Sequence, residues 1–62
     1  MIEEPILKFF EYKHLPIKLR DISMPFCNLA AAMVSELPPG DERSMALKHL
    51  LESKDCAVRA AL

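Results

Sequence analysis

The sequence predicts an all-α protein, an antiparallel helical hairpin with a short N-terminal arm that assembles into a helical homo-oligomer. Three observations carry this. The stretch Asp41–Leu62 holds no Gly or Pro, is rich in Ala, Leu, Lys and Glu, and repeats its apolar residues at helical spacing. Leu19, Ile22, Phe26, Leu29, Met33 and Leu37 recur at steps of three and four, as a core-facing seam does. Between the two patterns stands Leu37–Pro38–Pro39–Gly40, which stops one helix and leaves a connection short enough to make the helices antiparallel neighbours.

The whole chain, 1–62, reads as a single hairpin domain: an arm over 1–15, helix one over 16–37 and helix two over 41–61. In the arm, two acids and Pro5 precede the apolar cluster Ile6, Leu7, Phe9 and Phe10. Pro is tolerated at a first helical position, so a turn or two of helix can start there. A piece so short is not stable alone, and its aromatics need a surface to dock on. His14–Leu15–Pro16 then punctuates the chain, because a residue before Pro is pushed out of helical geometry and the Pro itself can open helix one.

Pro25 lies inside helix one and cannot bond to Asp21. The apolar register carries through it without a slip, so a kink near Pro25 is expected rather than a break. In helix two, Asp41 and Glu42 complement the dipole of the first turn. On a wheel of roughly 100° per residue, Leu47, Leu50, Leu51, Val58 and Ala61 share a sector about 100° wide. Arg43 and Lys54 share it too. A cation in an apolar stripe must find an acid, snorkel to water or hold an anion. Two readings follow: an intersubunit ion pair with Asp21, Glu36 or Asp55, or a ligand contact.

Size argues for assembly. A lone chain of 62 residues buries only about 60% of its unfolded surface and sits near the limit for stability without help. The two cysteines, Cys27 and Cys56, do not make a disulfide framework and read as reduced, small and apolar. No Cys-x-x-Cys or close His pair suggests structural zinc. Oligomerisation is the remaining helper, and stripes of Ala, Leu and Met suit it, with hydrophobic content at 52%. A net charge of −1 argues against general DNA or RNA binding. No apolar run has the length of a membrane span and no address signal is evident, so a cytoplasmic protein without membrane contact is expected.

Catalysis is not expected. The only histidines are His14 and His49, and His49 lies on the polar face of helix two, where it reads as solvated. A single Gly leaves no phosphate-cradling loop. No cofactor or metal is implied. Tyr12–Lys13–His14 is the best local candidate for a binding site: an amphipathic aromatic, a cation and a titratable donor outside regular structure. Tyr suits stacking on a base and Lys suits neutralising a phosphate. The same stretch also reads as a solvated hinge.

The order of these motifs is Tyr12–Lys13–His14–Leu15–Pro16, a helix, Glu42–Arg43, Met45–Ala46–Leu47, and Lys54–Asp55–Cys56–Ala57–Val58–Arg59–Ala60. It resembles the small α-hairpin proteins of phages whose domain is shared by the anti-CBASS cyclic-dinucleotide sponges and the anti-Thoeris cyclic ADP-ribose sponges. The resemblance covers Tyr12 to the C-terminus, about four fifths of the chain. It implies a compact helical oligomer, commonly a hexamer, that sequesters cyclic nucleotide second messengers in the host cytoplasm without cleaving them, an immune-evasion role. In that family an aromatic before helix one stacks on a base, and Tyr12 matches it. A lysine further along helix one holds phosphate, and the matching position here is Cys27. The resemblance then leaves phosphate to Lys13, Arg20, Arg43 or Lys54. It also implies a second pocket where three subunits meet, which takes cyclic trinucleotides and leans on arginines, with Arg43 and Arg59 as counterparts. The ligand-binding candidates are therefore Tyr12, Lys13, His14, Arg43, Lys54 and Arg59. The alternative is a phage helical module that docks its stripe onto a host or virion protein and takes no small ligand.

Overall fold

The computed structural model describes residues 5–62, and the arm residues ahead of Pro5 lie outside them. A 3₁₀ helix, Pro5–Phe10, is followed by α1, Ile17–Glu36, and α2, Asp41–Ala61. The two long helices pack as a hairpin, and the 3₁₀ helix docks across both of them. No strand occurs among the described residues.

Prolines set the ends of α1. Pro16 stands just ahead of it with φ −54° and ψ 151°, and its carbonyl accepts from the Leu19 and Arg20 amides. At the far end Leu37 is extended, with φ −104° and ψ 141°, the conformation a following Pro imposes. Its amide still donates to the Met33 carbonyl at 3.0 Å. The helix runs unsplit through Pro25. α2 starts after Gly40, whose carbonyl accepts from the Ser44 amide at 3.0 Å. Asp41 and Glu42 in its first turn and Arg59 in its last both match the helix dipole.

Phe10, Ala30 and Leu47, one residue from each element, are fully buried and touch Ile6, Leu7, Phe26, Cys27, Met33, Val34, Leu50 and Leu51. Phe10 is thus the anchor by which the arm docks. Its neighbour Phe9 faces outward, with the Lys8 ammonium 5.3 Å from its ring centroid, a cation–π distance. α2 turns the expected stripe inward: Leu47 is buried, and Leu50, Leu51, Val58 and Ala61 are half-buried.

On α1 the expected seam needs correction. Leu29 is 51% exposed and Leu37 42% exposed, whereas Ser23 and Ala30 are fully buried. The inward face runs through Ser23, Cys27, Ala30 and Val34, each one position beyond Ile22, Phe26, Leu29 and Met33. The physical reason is size. Small side chains let two helices approach closely, so the hairpin closes on Ser23 and Ala30, with Phe26, Cys27, Met33 and Val34 half-buried beside them and Leu29 and Leu37 left on the flank.

Candidate functional site

A concavity is formed where the arm turns into α1. After Phe10 the chain makes a tight turn closed by the Leu15 amide donating to the Tyr12 carbonyl at 3.0 Å, which puts Lys13 and His14 at its tip. Glu11, Tyr12, Lys13, His14 and, from α1, Cys27 line a cleft of about 420 Å³. Tyr12 and Cys27 are half-buried, while Glu11, Lys13 and His14 are exposed. The turn is tied to the first turn of α1 by Arg20, whose Nε donates to the Leu15 carbonyl at 2.7 Å. An aromatic wall, a cation and an imidazole thus converge on one opening, with a thiol on the helix side. Glu11 supplies a carboxylate to the same rim, so the cleft of one chain is close to charge-neutral when His14 is uncharged.

Arg43 and Lys54 lie elsewhere, and each takes up backbone carbonyls. Arg43 is 6% exposed. Its Nη1 donates to the carbonyls of Val34 at 3.2 Å and Leu37 at 3.0 Å. A continuing helix would bond the Val34 carbonyl to the amide of residue 38, but Pro38 has none. Lys54 is 13% exposed. Its Nζ donates to the Phe9 carbonyl at 2.8 Å and lies 3.8 Å from Asp55 Oδ1. The Phe9 carbonyl is at the end of the 3₁₀ helix, where acceptors outnumber amide donors. Both stripe cations therefore close the C-terminal end of an element that precedes α2, where positive charge is favoured. Neither lines the Tyr12 cleft.

Arg59, near the end of α2, donates through Nη2 to the Cys56 sulfur at 3.4 Å and is exposed. It too lies outside the cleft lining. His49 Nδ1 lies 3.2 Å from Glu52 Oε1 on the exposed face of α2. Both cysteines are free. Among the described residues, no three His, Cys, Asp or Glu side chains gather as a metal site, and no helix is long and apolar enough to cross a membrane.

Of the six candidate ligand residues, the structure brings together Tyr12, Lys13 and His14 and distributes Arg43, Lys54 and Arg59 to other places. It adds Glu11 and Cys27. Nothing in local spacing marked either Glu11 or Cys27 as part of the cleft. The fold defines the class of the chain as a helical hairpin with a docked arm. No protein-family profile, curated protein or solved structure matches it.

Proposed function

We propose that the chain is a non-catalytic binding protein that assembles as a homo-oligomer and sequesters a cyclic nucleotide messenger, a cyclic di- or trinucleotide or a cyclic ADP-ribose isomer. The observation that carries this reading is the shared cleft of Tyr12, Lys13, His14 and Cys27. Its volume of about 420 Å³ falls within the usual range for small-molecule sites, about 300–1,000 Å³. The Tyr12 ring offers a stacking face for a base, and Lys13 and His14 offer donors to phosphate. A ligand with two phosphates brings more negative charge than one Lys balanced by Glu11 can meet. A second copy of the chain, contributing its own cations across the opening, supplies the difference, which ties binding to assembly.

A second reading, a protein-interaction module without a small ligand, draws on the exposed Leu29, Leu37 and Met45. Native mass spectrometry separates the two. The purified chain is measured alone and with a panel of cyclic di- and trinucleotides and cyclic ADP-ribose isomers. A symmetric oligomer gaining intact ligands in whole-number steps is the expected result. An oligomer that stays bare across the panel overturns sequestration in favour of the interaction module, and turnover of any ligand overturns the non-catalytic assignment.

A further inference from the structure

The hairpin closes on the small-residue side of α1, and this leaves a second apolar face on the same helix. At roughly 100° per residue, Lys18, Ile22, Leu29, Ala32, Met33 and Glu36 occupy one sector about 100° wide. It flanks the Ser23–Ala30 face that packs inward. Leu29 is half exposed, at 51%, and Ile22, Ala32 and Met33 are only partly covered. Towards the C-terminal end Leu29, Ala32, Met33, Glu36 and Leu37 line a shallow groove of about 210 Å³. Charge brackets this face, with Lys18 at the start and Glu36 at the end. Neither forms an ion pair with another described residue.

We infer that this face of α1 binds the same face of a second copy, antiparallel, about a two-fold axis that passes midway between Pro25 and Leu29. The charge order selects the occupant and its direction. A two-fold contact brings each residue opposite the one equally far from the axis on the partner. Lys18 then meets Glu36 at both ends of a contact about 27 Å long at 1.5 Å per residue. Ile22 meets Ala32 and Leu29 meets Pro25, a large side chain against a smaller one in each case, while Met33 at the edge of the face meets Asp21. A parallel arrangement sets Lys18 on Lys18 and Glu36 on Glu36 and is repelled at both ends. The contact rests on the self-assembly part of the proposed function and not on its ligand.

The test is sedimentation velocity on the full chain across a concentration series, with Lys18→Glu, Glu36→Lys and the double reversal, each checked for helix content by circular dichroism. All the altered positions are exposed, so the variants keep the hairpin. Wild type is expected to self-associate. Each single reversal turns two symmetry-related attractions into repulsions and weakens association about tenfold. The double reversal returns association to within about twofold of wild type. A monomeric wild type overturns the contact together with self-assembly. Association that is indifferent to the single reversals, or that the double reversal does not restore, overturns this face alone.

Discussion

Arg43 stands in for the amide that Pro38 lacks, donating at 3.2 Å to the Val34 carbonyl that Pro38 leaves without its helical partner. Arg43→Ala is therefore expected to destabilise the hairpin by about 1–3 kcal/mol, the scale for a charged donor whose removal leaves part-buried acceptors without it. In a Pro38→Ala background the amide is restored, and the cost of losing Arg43 should fall. Urea unfolding of the four proteins in this cycle measures the coupling. Equal costs in both backgrounds would show that Arg43 acts through other contacts.

Lys54 holds the Phe9 carbonyl at 2.8 Å. Lys54→Met keeps an apolar stem in the α2 stripe but removes this donor. The expected loss is about 1.5 kcal/mol. Hydrogen exchange should quicken over residues 5–10 while the middle of α2 stays protected. Loss of protection throughout α2 would mean that Lys54 supports the hairpin itself.

Ser23 is fully buried and its hydroxyl has no hydrogen-bond partner. An unpaired buried hydroxyl costs free energy that an Ala at the same place does not. Ser23→Ala should raise stability by about 1 kcal/mol, read as a higher urea midpoint at an unchanged slope. A lower midpoint would indicate that the hydroxyl is satisfied in solution.

Tyr12 and Lys13 make up the cleft without holding the core. Tyr12→Ala should weaken messenger binding by about 1–3 kcal/mol, the scale of one base stacked on an aromatic ring. Tyr12→Phe should keep most of that affinity, and Lys13→Ala should make the remaining binding less sensitive to salt. Isothermal titration at two ionic strengths, with circular dichroism to confirm an intact fold, checks all three. Equal affinity of Tyr12→Ala and wild type would move the ligand away from this cleft.

The helices were legible because their ends are written in residues with one strong preference: Pro16 before α1, Pro38, Pro39 and Gly40 after it, and Asp41 and Glu42 at the start of α2. The rotation of α1 was not. Periodicity weights bulky apolar residues, and Leu29 outweighs Ala30, but close helix packing selects the smaller side chain. α1 carries two apolar stripes one residue apart, and hydrophobicity alone does not say which of them α2 covers. The stripe cations were legible as a problem and not as a solution. The clue to Arg43 was nonetheless local: two consecutive prolines leave the carbonyls of Val34 and Ser35 without amide donors, a few residues ahead of a guanidinium. No comparable clue pointed Lys54 to Phe9, because that contact spans the hairpin. At the cleft, Tyr12, Lys13 and His14 were neighbours in sequence, while the company of Glu11 and Cys27 came from the way the arm folds back on α1.

The bond from Lys54 to the Phe9 carbonyl joins residues separated by 45 positions. During synthesis, at about 5–20 residues per second, roughly 2–9 s separate the emergence of the two groups. Through that interval Phe10 has no finished surface to bury itself in. The arm is thus made ahead of the residue that clasps it, and the clasp cannot close until α2 has been made as far as Lys54. A product that terminates early in α2 would leave the aromatic arm unclasped and open to chaperones and proteases, so truncation ahead of Lys54 exposes what the complete hairpin covers.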